Sequence, residues 1–296
     1  PVTEDEEGVL VPFTSLEDAF AFAKECAVRQ IGLSIGLLGL QFVSSFLAPT
    51  KKLASIARDV FAHKLGMSYL VLLIGDQYAL RAVREMGRPV IGQKLFQILY
   101  HGFPSLESAR WLGLLKFFSG GKPFSYLQLK PFGKLAEIAL NPSVAQITAS
   151  IDPELRPLFH EIYSRPEMSD LVWLNTFRIQ SARFGRENPF VGLVCYLPAE
   201  IGLITEMQGA LGKIADKYQL KNELGFITPF ESGKRCIWEY DFYFDHNNPA
   251  ELDRIQRATI DAGELLDDFS RRTGTVKQVR YVVNQGCCRK ENLLYT

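Results

Sequence analysis

The sequence predicts an α+β fold, a large antiparallel sheet covered by helices, on three observations. Apolar runs of strand length alternate with helical stretches near both ends of the chain. Their order places helices on one side of a largely antiparallel sheet. A run at 235–245 splits cleanly into two unlike faces when drawn as a strand. With 47% hydrophobic and 12% aromatic residues over 296 positions, the chain can fill a sizeable core.

The elements follow in order. Leu10-Val11-Pro12-Phe13 reads as a strand, and Ser15 caps a helix with Glu17 and Asp18 in its first turn and Leu16, Ala19, Phe20 and Ala23 on one face. Between Gln30 and Thr50 no residue is charged, and Gly32, Gly36 and Gly39 bring small-residue spacing. That length reaches a membrane span, but Ser34, Gln41, Ser44 and Ser45 favour a buried strand at 31–38 followed by a helix. Leu53, Ile56, Val60 and Phe61 mark a second helix ending near Gly66. Tyr69–Gly75 is a buried strand, 77–86 a short helix, and Pro89-Val90-Ile91 a further strand. The last hundred residues repeat the scheme: a strand at 189–197, a helix at 200–218 with Leu203, Met207, Leu211, Ile214 and Ala215 as its stripe, and strands at 223–228 and 235–245. Asn248, Pro249 and Glu251 combine an N-cap, a Pro at N1 and a capping-box Glu, opening a helix that Gly274 stops before a strand at 275–283. The organisation expected is two ferredoxin-like halves, 1–95 and 189–283, around an irregular middle, 96–188, with a tail at 284–296.

The 235–245 strand holds the candidate chemistry. Cys236, Trp238, Tyr240, Phe242 and Phe244 share one face and read as core. Arg235, Ile237, Glu239, Asp241, Tyr243 and Asp245 share the other, a row of titratable groups on a rigid element. Glu239 and Tyr243 are the acid/base candidates. Arg235, Arg178, Asp241 and Asn175 are the substrate-binding candidates, since either Arg can clamp a carboxylate through two parallel hydrogen bonds. The structural alternative is an Arg paired to Glu239 or Asp241, or a sheet face that is simply wet.

Other chemistries find little support. Lys+Arg and Asp+Glu balance at 33 each, so no net field draws the chain to nucleic acid or an anionic membrane. Five cysteines without framework spacing point to reduced thiols and a cytoplasmic setting. Gly32-Leu33-Ser34-Ile35-Gly36 matches a nucleophile elbow in letters but follows a helix instead of a strand. Gly120-Gly121-Lys122 lacks phosphate-loop spacing, and Asp241, Asp245 and His246 lack a fourth metal ligand. The acidic start Pro1–Glu7, without a Met, reads as a cut inside a longer protein and not as a signal peptide.

Pro12-Phe13-Thr14-Ser15-Leu16-Glu17-Asp18-Ala19 resembles the segment that follows the flavin-binding domain in FAD-linked oxidases of the vanillyl-alcohol oxidase type. Gly225-Phe226-Ile227-Thr228-Pro229, Gly233-Lys234-Arg235 and Glu239-Tyr240-Asp241 resemble cap-domain strands of FAD/FMN-containing dehydrogenases in that group. The resemblance implies a substrate-binding cap that covers the flavin ring, with FAD held mainly by a domain or subunit outside this chain. It further implies a small-molecule substrate and an isolated chain without activity, and it is compatible with a homodimer. The family's His-Ala-Gly-Asp-Gly-Asn-type metal motif has no counterpart here, which weakens a 2-hydroxy-acid substrate. The competing expectation is a non-catalytic ligand-binding or assembly module of the same fold.

Overall fold

The computed structural model describes residues 6–47, 51–92 and 190–278, much of 95–134, and positions 153, 154, 156 and 157. Asn175, Arg178, Cys287, Cys288 and most of the middle segment lie outside the described residues.

Among the described residues eight strands form one antiparallel sheet. They are β1 (Glu7–Phe13), β2 (Ser34–Gly39), β3 (Tyr69–Gly75), β4 (Ile91–Gly92), β5 (Phe190–Pro198), β6 (Lys221–Phe230), β7 (Arg235–Tyr243) and β8 (Lys277–Gln278). The order across the sheet is β4-β1-β3-β2-β6-β7-β5-β8. The first four strands lie in the local order 4-1-3-2, and the last four repeat that order in mirror sense, so that β2 meets β6 where the two halves join. Leu37 pairs with Ile227 and Leu38 with Phe226 at this junction. Gly39 closes it, because a Cβ there would run into the Leu224 carbonyl, whose carbon would lie 3.0 Å away.

Helices α1 (Leu16–Val28), α2 (Leu40–Leu47), α3 (Lys51–Asp59, continued by a π-turn at Val60–Lys64), α4 (Gln77–Glu85), α5 (Trp111–Phe118), α6 (Ile201–Lys217) and α7 (Pro249–Thr273) cover the sheet. One core runs the sheet's full width beneath α1, α4, α6 and α7 and includes Val11, Leu37 and Val71 of the first half with Cys195, Trp238 and Phe242 of the second. Helices were expected on one side only. The first half carries them on both, because Leu10, Leu38, Leu70 and Leu72 make its opposite face apolar as well. There α2, α3, α5 and a 3-10 turn at Ser125–Gln128 supply a second core around Phe42, Phe61, Leu112 and Tyr126.

The local signals act largely as their chemistry requires. The Ser15 side chain accepts from the Asp18 amide at 3.2 Å, and Asn248 accepts from the Ala250 amide at 3.1 Å. Glu251 departs from the capping-box geometry: its Oε2 accepts from the Asp245 amide at 2.6 Å and ties the end of β7 to the start of α7. Gly274 ends α7 at φ 65°. In α6 the buried stripe is Ile204, Met207, Leu211 and Ala215, while Leu203 and Ile214 lie at its margins. Of the expected 275–283 strand, only Lys277–Gln278 falls among the described residues as strand. Ser34 of the elbow-like motif begins β2 as an exposed strand residue, without the strand-to-helix turn an elbow needs.

Candidate functional site

The candidate site lies on the face of β7 turned away from the sheet-wide core. Trp238, Tyr240 and Phe242 point into that core, with Trp238 stacked on Tyr240 at 5.8 Å. Glu239, Asp241 and Tyr243 therefore share the opposite face. They are not a wet row: Glu239 is 1% exposed, Asp241 0% and Tyr243 6%. Tyr243 donates from its hydroxyl to Asp241 Oδ2 at 2.9 Å. Its ring packs against Phe190 of β5 at 6.0 Å.

Two glycines on the flanking strands make room for the acids. A Cβ on Gly192 of β5 would lie 3.1 Å from Glu239 Cδ. One on Gly225 of β6 would lie 3.0 Å from Glu239 Cγ and Oε1 and 3.2 Å from Asp241 Oδ1. Gly225 sits in a bulge, since the register of β6 against β7 shifts between Leu224 and Ile227. The extra residue leaves Leu224 and Ile227 both in the sheet-wide core and places Glu239 opposite the bulge.

A third acid joins this face. Glu223 pairs across the ladder with Asp241, and its Oε2 lies 3.5 Å from Arg58 Nε of α3. Burial raises the Glu223 pKa above the usual carboxylate value; Arg58 and the backbone amides of Gln41 and Leu40 at the start of α2 pull it back. Glu223 is not among the residues that strand alternation along 235–245 points to. A glycine inside a strand pattern, Gly225, was the available signal for a bulge that would regroup its neighbours.

Arg235 is held apart from this cluster. It begins β7, four residues before Glu239, which is roughly 13 Å along a strand. Its guanidinium lies 4.9 Å above the Tyr196 ring, and its Nε is 3.7 Å from Glu231. Tyr196 in turn donates to Glu231 Oε1 at 2.8 Å, closing a small network over the β6–β7 turn. Glu239, Asp241 and Tyr243 thus come together, Arg235 stands at the strand's other end, and Asn175 and Arg178 fall outside the described residues.

The thiols of the described residues have core character. Burial pushes Cys195 and Cys236 up to about 12 and Cys26 up to about 11, which keeps them protonated and poorly nucleophilic. Among the described residues no group of three or more His, Cys, Asp and Glu side chains is arranged to hold a metal ion, and no helix is long and apolar enough to cross a membrane.

No protein-family model matches the chain, and no curated protein matches it. Among solved structures it is similar to p-cresol methylhydroxylase with substrate bound, at 12% identity over 92% of this chain and 44% of that one, with a TM-score of 0.45. It is also similar to 4-ethylphenol oxidase from Gulosibacter chungangensis in its isoeugenol complex, at 11% identity over 93% of this chain and 45% of that one, with a TM-score of 0.48. The chain therefore spans less than half the length of either. Likeness at this level assigns no activity.

Proposed function

We propose that this chain is the substrate-binding cap of an FAD-dependent oxidoreductase, and that the Glu239–Asp241–Tyr243 face of β7 serves its active site. The observation that carries the reading is the Tyr243–Asp241 hydrogen bond, buried on a rigid sheet face with Glu239 beside it. The sequence resemblance of 12–19, 225–229 and 233–241 to flavin-linked oxidases supports it.

The residues present fit a flavin reaction in their proton chemistry. Asp241 orients the Tyr243 hydroxyl and stabilises it as a donor, so a proton can be held or moved at Tyr243 Oη. Glu239 stands one alternate position away on the same face as a second proton acceptor. Burial keeps water from these groups, as hydride chemistry requires. The glycines of this face offer a pyrophosphate no cradle, because Glu239 fills the space a Cβ would take. FAD would accordingly be held mainly by a separate domain or subunit. When bound, FAD accepts the hydride; the chain's own residues bind, orient and move the proton. One hydroxyl donor beside carboxylates suits a small neutral phenolic substrate. Arg235, roughly 13 Å away along β7 and engaged with Tyr196 and Glu231, does not share that substrate, which leaves Arg178 as the candidate cation for an anionic group.

The test has two parts. This chain alone should be colourless, and its extension through the upstream coding sequence should give a yellow flavoprotein. In that protein Tyr243→Phe and Glu239→Gln should each slow flavin reduction by ~10²-fold or more. Reduction at the wild-type rate in both variants removes the acid/base roles, and a colourless extended protein removes the flavin reading itself.

One observation favours a second reading, a non-catalytic ligand-binding or assembly module. Glu239 and Asp241 are as buried as the apolar core, as members of a purely structural network would be.

A further inference from the structure

Helix α5 is apolar on two sides. Leu112, 1% exposed, and Leu115 pack into the core beneath the helix, and Lys116 reaches inward to lie 5.9 Å from the Tyr126 ring. Tyr126 is itself fixed by donating to the Leu65 carbonyl at 2.6 Å. The helix is thereby clamped with its other side outward. On that side stand Leu114, Phe117 and Phe118, exposed by 61%, 80% and 72%. Their spacing of three and four residues puts them on one stripe. Among the described residues the other large exposed hydrophobics, Val28, Leu33, Tyr78 and Ile260, are scattered along the chain, and such singles need no explanation.

The charge of the sequence flanking the stripe identifies what covers it. Between Leu106 and Lys134 the sequence holds Arg110, Lys116, Lys122, Lys130 and Lys134 against the single acid Glu107, in a chain whose total charge is zero. Arg110, Lys122, Lys130 and Lys134 are exposed. We propose that α5 lies in the headgroup layer of an anionic membrane, with Leu114, Phe117 and Phe118 dipping into the acyl boundary and the exposed basic side chains of the flanking sequence contacting lipid phosphates. Exposed Leu and Phe side chains next to a local excess of exposed cations are the two contributions that peripheral binding to an anionic lipid surface combines. Phe and Leu side chains supply the apolar area that such attachment buries at the acyl boundary. The attachment is peripheral, resting on one helix and its flanking turns.

Co-sedimentation of the full chain with vesicles tests this. Binding should be firm with phosphatidylcholine vesicles containing phosphatidylserine and weak with phosphatidylcholine alone, and it should fall as salt is raised. Phe117→Ser with Phe118→Ser should weaken it by about tenfold or more. Lys122→Glu, Lys130→Glu and Lys134→Glu together should weaken it by about 100-fold, at roughly fivefold per cation lost. Near-UV circular dichroism identical to wild type shows that the variants are folded, and these surface positions leave the two cores untouched. Absent binding to either vesicle, or binding indifferent to both sets of variants, overturns the proposal. So does a chain that sediments as a dimer which Phe117→Ser/Phe118→Ser splits into monomers without any vesicle binding, for the face then belongs to a second copy.

Discussion

The two halves of the sheet share one face and differ on the other. Beneath α1, α4, α6 and α7, both halves are apolar and form one continuous core. On the far side, the first half presents Leu10, Leu38, Leu70 and Leu72 to α2, α3 and α5. The second half presents Glu223, Glu239, Asp241 and Tyr243, with glycines at 192 and 225 where side chains would otherwise crowd the acids. The same strand order thus supports opposite uses. An apolar far face fastens covering helices, whereas an acidic one holds groups that can exchange protons. Stability is invested in the shared face, which leaves the far face of the second half free to specialise.

Trp238 lies one residue from Glu239 but on the shared face. Trp238→Ala should destabilise the chain by about 3–5 kcal/mol, read from the urea midpoint, because it empties a fully buried site in the core common to both halves. A loss under ~1 kcal/mol would mean that the two halves do not depend on that core. At the junction, Gly39→Ala sets a methyl against the Leu224 carbonyl and should cost about 3 kcal/mol by the same measurement. Should it cost nothing, the β2–β6 seam has slack that this geometry does not contain. Tyr243→Phe is smaller, about 1–2 kcal/mol, since it removes one buried hydrogen bond to a carboxylate and little volume. Set beside the flavin-reduction rate, a large rate loss with a small stability loss marks a specialised face.

The fourth effect is a pH dependence. Burial raises the Glu223 pKa above its value of 4.5 in the unfolded chain, so the folded state favours the protonated acid. The stabilising contribution is fully present below 4.5 and is lost as pH rises through the raised folded value. Wild type should therefore lose stability relative to Glu223→Gln as pH increases from 4.5 toward neutrality. A difference between the two that stays flat across that range would show that Arg58 fully offsets the burial.

Much of the second half was legible in the chain. The alternation at 235–245 predicts both faces of β7 because side chains in a strand repeat every two residues. Ser15, Asn248 and Gly274 mark helix ends because each meets a local backbone need. Glu223 was not legible. Simple alternation puts it on the same side as Ile227, but the bulge at 225–226 adds a residue and returns Ile227 to the core. The basic excess of the sequence flanking α5 was hidden differently, since a whole-chain charge of zero averages away a local excess.

The sequence by itself determined the α+β class, the succession of strands and helices near both ends, the core face of β7 and the members of its polar row. These are properties of short segments, set by periodicity and by capping chemistry. Tertiary structure alone decided that the polar row is buried, that Glu223 joins it across the ladder, and that Arg235 turns aside to Tyr196 and Glu231. It also decided that the first half is covered on both faces while one side of α5 stays bare. Each of these depends on which strand lies beside which and on what packs above it, and contacts between residues far apart in the chain leave no periodic trace within any one segment.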